Sequence, residues 1–185
     1  MPPKPKITKQ MILDASFAIA REQGYELINA RTIAEKLNCS TQPVMYNFKT
    51  IEEIREETYR LADEYHTRFI MPKGDKSYNP LLELGLNYIR FGYEEKKLFR
   101  FLFQSNSFAG LNVAVLMSDP ALGEMLTMVS SAFGCTEEES REIFFNLFVS
   151  AHGIASLIAN NSMEYEEATF RKVLENTYTT LKNRG

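Results

Sequence analysis

The side chains best suited to recognising another molecule lie between residues 40 and 49, in the segment STQPVMYNFK. Gln42 stands out because its amide can donate to and accept from the edge of one adenine at the same time. Thr41 precedes it, and Pro43 presents an apolar surface suited to a thymine methyl group. Together with the adjacent Ser40, these residues predict a segment that contacts the edges of DNA bases.

A second set of side chains suits phosphate groups rather than bases. Its members are Tyr46, Asn47 and Lys49 at the end of the segment, and Asn29, Arg31 and Thr32 upstream. Those at the end of the segment can bond phosphates and fix the register of a protein on DNA without reading its sequence. The upstream residues begin a predicted helix, where free N–H groups and the helix dipole favour a phosphate oxygen.

The distribution of charge agrees with an anionic partner for the N-terminal part. Residues 1–49 hold seven Lys and Arg against four Asp and Glu, a balance of +3 within a chain whose net charge is −3. The remaining residues therefore carry −6. This asymmetry indicates a small module that meets a polyanion and a larger part with another role.

These candidate residues can act together only if two short helices cross at a steep angle. The sequence contains the residue types that such a crossing needs. Ala34 leaves room where the helix backbones approach, Asn38 tolerates the positive φ of the turn, and Val44 locks the second helix. Ser40 is predicted to cap the second helix, and Pro43 falls in its first turn, where a missing N–H matters little. The arrangement predicts a helix-turn-helix whose second helix enters the DNA major groove, although a hairpin in any α-helical bundle can carry the same residues.

Helix signals continue along the whole chain. The candidate N-caps are Thr8, Asn29 and Ser40, the candidate C-terminal glycine is Gly24, and Thr50 with Glu53 and Thr136 with Glu139 fit capping boxes. Apolar residues recur at helical spacing over 81–95 and 137–160, and then at Phe170, Val173, Leu174, Tyr178 and Leu181. No alternation with a period of two extends beyond a few residues, so we expect an all-α protein.

Residues 8–54 resemble the DNA-binding domain of TetR-family transcriptional regulators. The resemblance rests on Gly24-Tyr25 after the long first helix, Thr32-Ile33-Ala34, Ser40, Phe48-Lys49-Thr50 and Glu52-Glu53-Ile54. It implies a three-helix DNA-binding domain at 1–50, a connecting helix at 51–71, and a helical ligand-binding and dimerisation domain at 72–185. The implied activity is repression of transcription from a palindromic operator of double-stranded DNA. Separately, an N-terminus unlike a signal peptide and two cysteines without a disulfide framework predict a cytoplasmic location.

The chain departs from the family pattern in the second helix of the helix-turn-helix. The family usually has a phosphate-holding tyrosine at the position of Met45. Tyr46 follows it, about 100° further around the helix. The sequence leaves open whether Tyr46 takes over that contact.

The predicted helix over 137–160 is apolar on more than one side, which favours a homodimer. The residues expected at the dimer interface are Phe145, Val149, Gly153, Ser156 and Leu157. Small residues among them let another helix approach closely, and a twofold dimer places two reading helices in successive major grooves. The alternative is a central helix within a monomeric bundle.

An apolar effector is expected in the C-terminal part, which the resemblance assigns to ligand binding. The candidate lining residues are Tyr88, Phe91, Phe99, Phe103, Phe108, Met117, Met125 and Met128. Methionine and phenylalanine repack easily around small hydrophobic ligands. The same aromatic stripe at helical spacing also suits an ordinary helical core.

The sequence contains few residues arranged for catalysis or metal binding. The chain has two cysteines and two histidines, with no metal-ligand spacing among them. His66 follows Asp63 by three residues and is expected on the surface of the fourth helix. Without a glycine-rich phosphate loop or a nucleophile elbow, we expect neither an enzyme nor a bound cofactor. No run approaches the roughly 18 apolar residues of a membrane helix, so no membrane partner is expected.

Two other functions stay open at this point. A helical protein–protein adaptor would have the same fold but would show no salt-dependent binding to DNA. A redox-responsive regulator would use Cys39, which lies within the predicted helix-turn-helix. A cysteine in such a valine-like position is usually an inert core residue.

Overall fold

The computed structural model describes residues 7–74, 79–105, 118–161 and 163–183. In these ranges the chain forms nine α-helices and no strand, which confirms the all-α prediction. The helices are α1 (Lys9–Glu22), α2 (Ala30–Lys36), α3 (Thr41–Asn47), α4 (Ile51–Ile70), α5 (Pro80–Glu94), α6 (Lys96–Gln104), α7 (Gly123–Phe133), α8 (Glu137–Asn161) and α9 (Glu167–Lys182). One-turn 3₁₀ segments at Tyr25–Leu27 and Pro120–Leu122 precede α2 and α7.

Several helix ends follow directly from local side-chain chemistry. The hydroxyl of Thr8 accepts the Met11 N–H at 3.2 Å and caps α1. At the other end of α1, Gly24 has a φ of 116° and donates its N–H to the Ile19 carbonyl at 3.1 Å. Glycine suits this position because a side chain would be strained there. These predicted boundaries of α1 are confirmed.

The two predicted capping boxes differ in detail. At the start of α8, the Thr136 N–H donates to Glu139 at 2.8 Å and the Glu139 N–H donates to the Thr136 hydroxyl at 3.3 Å. The bond from the Thr136 N–H lowers the pKa of the Glu139 carboxyl. At the start of α4, Glu53 donates its N–H to Thr50, but its carboxylate accepts from the N–H of Lys49 instead. In the box at the start of α4, the Glu53 carboxylate therefore bonds to the N–H one residue before Thr50.

The chain divides into two compact units. The first unit comprises Met1–Thr67 and Lys97–Ser107, and the second comprises Arg68–Lys96 and Phe108–Gly185. In the first unit, α1, α2 and α3 pack together around buried Ile12, Ile33 and Val44. In the second unit, α8 packs against α5, α7 and α9. The functional division into 1–50, 51–71 and 72–185 stays a prediction.

Most of α6 belongs to the first unit, where aromatic residues hold it in place. Phe101 stacks on Tyr25 with ring centroids 5.1 Å apart. Tyr59 of α4 meets the same ring edge-on at 5.5 Å and donates its hydroxyl to the Leu102 carbonyl at 3.1 Å. Lys97 donates its Nζ to the carbonyl of Glu22 at the end of α1. The sequence did not predict this packing, because it joins segments far apart along the chain.

Helix α8 carries the buried stripe of the second unit. Phe144, Ala151 and Ile158 lie in the core. By length and composition alone α8 is apolar enough to cross a membrane, which is weak evidence, and 28% of its most apolar stretch is buried. The central helix of a bundle passes the same test. On α9, the predicted last helix, Phe170 and Leu174 are buried, whereas Val173 is exposed.

The structure corrects the expectation that His66 lies on the surface. Its side chain is buried within the first unit, where its ring meets Phe103 edge-on at 5.2 Å. Burial lowers the pKa of His66 to about 3, because desolvation penalises the charged imidazolium. His66 therefore stays neutral in the folded protein at physiological pH.

This burial predicts acid sensitivity. Below the ordinary histidine pKa of about 6.5, the unfolded chain binds a proton that folded His66 does not, so stability falls as the pH decreases. Between about pH 7.5 and about pH 5, His66 should lower the free energy of unfolding by about 2 kcal/mol. Urea unfolding of the wild type and His66→Leu at both pH values measures this. An equal pH dependence in the two proteins would contradict it.

Candidate nucleic-acid interface

The turn between α2 and α3 adopts the predicted geometry. Asn38 has a φ of 51°, the one positive value found at a non-glycine position in the described residues. The Asn38 N–H donates to the Glu35 carbonyl at 3.1 Å, and the Cys39 N–H donates to the Ala34 carbonyl at 2.9 Å. These bonds close the end of α2, and the left-handed residue redirects the chain into α3. The sequence prediction for Asn38 is confirmed.

Helix α3 has one buried side and one exposed side. Val44 is fully buried, and Phe48 follows it on the same side after the helix ends. The opposite side exposes Thr41, Gln42, Met45 and Tyr46, spaced so that each pair four residues apart lies on one face. We call these four residues the recognition face. The recognition face lies at the surface of the first unit, and all four of its residues are helical.

Met45 belongs to the recognition face although sequence reasoning did not include it. Its side chain is 41% exposed. The signal that would have identified it is simple spacing, since it follows Thr41 by four residues and Gln42 by three. An exposed thioether next to Gln42 offers the face an apolar contact.

Ser40 and Pro43 flank the start of the recognition face. Ser40 occupies the N-cap position of α3, but its side chain makes no capping hydrogen bond, so the predicted cap is wrong in that respect. Pro43 lies half-buried in the first turn, as predicted. Its missing N–H matters little there because no intrahelical acceptor is available.

The start of α2 differs from the expectation of free N–H groups. The side-chain oxygen of Asn29 accepts from the N–H groups of Arg31 at 3.0 Å and Thr32 at 3.1 Å. The Thr32 hydroxyl in turn accepts from the Asn29 N–H at 3.3 Å and donates to the Leu27 carbonyl. The expectation that these two amides are free for a phosphate is therefore wrong. Asn29 and Thr32 instead cap the N-terminal end of α2, the helix on which Arg31 lies.

Three candidate phosphate-binding side chains reach solvent. Tyr46 is 86% exposed, and Lys49 is exposed just after α3. Arg31 is exposed and pairs with Glu35 on the same helix at 2.9 Å. Such a surface pair is weak, so a phosphate can compete for the guanidinium.

Asn47 is oriented inward rather than toward solvent. Its amide nitrogen donates to the Pro43 carbonyl at 2.8 Å and to the Ile7 carbonyl at 3.3 Å. Both amide hydrogens thus bond to the protein backbone, and the side chain ties α3 to the segment before α1. This geometry favours a positioning role for Asn47.

Sequence reasoning missed two cations that stabilise the same unit. Arg55 of α4 donates Nε and one Nη to the carbonyl of Ile28, at 3.1 and 3.0 Å, and so holds the segment before α2. The ammonium group of Lys9 lies 5.0 Å from the centre of the Phe48 ring. Local patterns do not predict either contact, because both depend on tertiary packing.

The predicted effector-pocket residues are distributed over both units. In the second unit Tyr88, Phe91 and Met125 are buried and Met128 is half-buried; in the first unit Phe99 is buried and Phe103 half-buried; Phe108 and Met117 lie outside the described residues. The Tyr88 hydroxyl lies 2.8 Å from Nδ1 of His152, a neighbour the sequence did not identify. Burial lowers the pKa of His152. The pocket as a whole stays a prediction.

The predicted dimer residues lie on the less buried side of α8. Leu157 is 53% exposed and Val149 is 49% exposed, high values for apolar residues of a helix. Gly153 between them is also exposed, and an added Cβ would meet nothing within 4 Å in the same subunit. Phe145 and Ser156 are half-buried. Within the described residues, α8 thus exposes an apolar strip around Val149, Gly153 and Leu157.

The described residues show no cluster suited to a metal ion, since no three His, Cys, Asp or Glu side chains are grouped there. Cys39 and Cys135 are half-buried free thiols. Cys39 lies next to the turn between α2 and α3, where its N–H bonds to Ala34.

The chain is similar in structure to a solved protein, but comparisons of its sequence with protein families and curated proteins give no match. No protein-family model matches the chain, and no curated protein matches it significantly. A similar solved structure is the crystal structure of the multidrug binding protein EbrR complexed with imidazole, with a TM-score of 0.58 and 19% sequence identity. The alignment covers 91% of this chain and 88% of that chain. The chain therefore has the all-α, TetR-like fold.

Proposed function

We propose that this protein is a DNA-binding transcriptional regulator, a ligand-responsive repressor that acts as a homodimer on a palindromic operator. The observation that carries the proposal is the recognition face of α3. Its residues are exposed together, while Val44 and Phe48 on the opposite side anchor the helix. A helix held in this way can enter the major groove with its first turn against base edges.

Within the recognition face, Gln42 and Thr41 read bases. Gln42 lies in the first turn of α3, and its amide matches the donor and acceptor pattern of adenine. Met45 and Pro43 supply apolar contact for thymine methyl groups. Ser40 lies at the start of the helix, where its exposed hydroxyl reaches a base edge or a phosphate.

Phosphate contacts come from side chains around the recognition face. Lys49, Arg31 and Tyr46 are exposed cations or hydroxyl donors that hold the DNA backbone. Asn29 and Thr32 act indirectly, because their hydrogen bonds fix the start of α2. Asn47 likewise keeps α3 in position through its bonds to backbone carbonyls.

A homodimer is the second part of the proposal. The exposed strip of α8 around Val149, Gly153 and Leu157 is apolar, and burial against a twofold-related copy removes it from water. Two recognition faces separated by about 34–36 Å then meet successive major grooves on one side of the DNA. Phe145 and Ser156 border the strip.

The third part is regulation by a small apolar molecule. The similar structure, EbrR, is described as a multidrug binding protein, and its fold is shared by this chain. Helix α6 carries two candidate pocket residues, Phe99 and Phe103, and contacts α1 through the bond from Lys97 to Glu22. A ligand that shifts α6 would therefore act on the helices that support α3.

Thermodynamics restricts which ligands can act in this way. A ligand changes operator affinity only if it binds the two conformations with different affinity. A saturating ligand that leaves operator affinity unchanged is therefore not an effector of this kind. Repression follows when the free protein binds the operator and the ligand favours release.

Substitutions in and beside the recognition face distinguish base reading from phosphate binding. On a site selected from random DNA, Gln42→Ala should lose about 1–3 kcal/mol of discrimination at one base position. Lys49→Ala should weaken binding to all sequences similarly and reduce the salt dependence by about one phosphate contact. Fluorescence anisotropy over a salt series measures both effects.

The matched control is Lys172→Ala, which removes an exposed lysine from α9 in the second unit. We expect it to leave operator affinity unchanged. Binding that is insensitive to salt, or that tolerates Gln42→Ala at every base position, would instead support an adaptor or another surface.

A further inference from the structure

The second unit contains a cleft that the proposed function does not use. It has a volume of about 430 Å³ and lies between the segment after α4, helix α5 and the start of α9. Clefts of about 300–1,000 Å³ are typical of small-molecule sites. Unlike the predicted effector pocket, this cleft is lined mainly by charged and polar side chains.

The cleft brings together three cationic side chains that can bind an anion. Lys73, Arg90 and Arg171 line it together with two carboxylates, Glu83 and Glu167, which leaves a formal balance of +1. Both carboxylates already have partners within the chain. Glu167 pairs with Arg171 at 2.8 Å, and Glu83 accepts the backbone N–H of Lys73 at 3.2 Å. Arg90 also pairs at 3.8 Å with Glu94, which lies beside the cleft lining, and both side chains of this weak surface pair are partly exposed. Lys73 therefore supplies a cation to the cleft, and Arg90 can exchange its surface pair for a ligand carboxylate.

Arg90 is held in a defined orientation at the cleft. One Nη donates to the side-chain oxygen of Asn87 at 3.0 Å, and Asn87 in turn donates to the Ile70 carbonyl at 3.1 Å. The guanidinium also lies 5.4 Å from the centre of the Phe69 ring. The side chain is nonetheless 41% exposed, and its Nε lies 3.8 Å from a carboxylate oxygen of Glu94. A guanidinium fixed in this way loses little entropy on binding a carboxylate, to which its planar fork is well matched.

Tyr165 provides an aromatic surface in the same cleft. Its ring lies between those of Tyr93 and Phe170, with centroids 5.3 and 5.4 Å away. Burial and the neighbouring Glu167 raise the pKa of Tyr165, so its hydroxyl keeps its proton and remains a donor. Leu86 adds an aliphatic surface to the lining. The cleft thus combines cations and a hydroxyl donor with apolar groups.

We propose that this cleft binds a small organic monocarboxylate. Lys73 and Arg90 hold the carboxylate, and the organic body lies against Tyr165 and Leu86. A phosphate monoester, with a charge of about −1.5 to −2, would be repelled more strongly by the two resident glutamates. The site lies entirely within the second unit, so binding to it can be measured without DNA.

The experiment is calorimetric titration of the full chain with 3-phenylpropionate at low salt. We expect one binding event per subunit. Lys73→Gln should weaken it about tenfold, the effect of losing one charge-assisted hydrogen bond. Glu83→Gln should strengthen it severalfold, because the amide still accepts the Lys73 N–H while the repelling charge is removed. Lys172→Gln, which removes an exposed lysine of α9 outside the cleft lining, should have no effect.

The two variants should change the affinity in opposite directions: Lys73→Gln weakens binding and Glu83→Gln strengthens it. A misfolded protein would not bind more tightly, so this pair distinguishes a specific effect from damage to the fold. Phenyl phosphate and 3-phenylpropan-1-ol are the matched dianionic and neutral probes. The proposal is overturned if 3-phenylpropionate shows no saturable binding at millimolar concentration, or if Lys73→Gln leaves its affinity unchanged. Equal or tighter binding of either matched probe would also overturn it.

Discussion

Replacing Leu157 with glutamate should convert the protein to a monomer and lower its operator affinity at least about a hundredfold. Leu157 is 53% exposed in one chain, so the substitution places a charge in water in the monomer. In the proposed dimer the same position is buried, and twofold symmetry brings in two glutamates for each interface. Desolvating unpaired charges costs several kcal/mol, more than an interface of this kind can absorb.

Sedimentation velocity and fluorescence anisotropy measure the two parts of this expectation. The control is Met163→Glu, which changes another exposed apolar residue outside α8. It should leave both the dimer and DNA binding intact. A Leu157→Glu protein that remains dimeric would show that the interface lies elsewhere. A wild-type protein that is monomeric at micromolar concentration but binds its operator tightly would remove the need for a dimer.

Gly153 gives the dimer a second test within the same helix. In a single chain an added methyl group there touches nothing within 4 Å. Gly153→Ala should then raise helix stability by about 1 kcal/mol, from propensity alone. If a symmetry-related helix packs against Gly153, the methyl group instead separates the two backbones and weakens the dimer. Gly153→Ala should therefore raise the stability of the helix and lower the affinity of the two subunits for each other.

Local chemistry explains which parts of the interface could be predicted from the sequence. The positive φ of Asn38 and the cap formed by Asn29 follow from the properties of asparagine and from a few neighbouring residues. The same cap occupies the amides at the start of α2, an outcome that depends on one side-chain rotamer. Met45 carries no polar group suited to a base or a phosphate, so only its spacing along α3 identifies it as part of the recognition face.

The features that sequence reasoning missed depend on distant partners. His66 is buried because α6, more than thirty residues later, brings Phe103 against it. Asn47 faces inward because the carbonyl of Ile7 is a second acceptor for its amide. Such contacts leave no periodic signal along the chain. Their absence from a sequence pattern therefore says little about their effect on the site.

Gly92→Val should lower the free energy of unfolding by about 3 kcal/mol, at the upper end for overpacking a core. Gly92 of α5 faces Ala155 of α8, and a Cβ there would lie 2.9 Å from the Ala155 Cβ and 3.0 Å from its carbonyl oxygen. These atoms belong to a helix backbone and a minimal side chain, so they cannot rotate away. The helices must separate, and the packing of α5 on α8 is lost.

Gly85→Ala on the same helix provides the matched control. A Cβ at Gly85 would lie 2.9 Å from Cδ1 of Leu174, the flexible end of a long side chain. That methyl group can move by a small rotation, so the substitution should be close to neutral once alanine's gain in helix propensity, about 1 kcal/mol, is included. Urea unfolding of both variants gives the comparison. Equal stabilities would show that α5 and α8 do not approach as closely at Gly92 as the structure indicates.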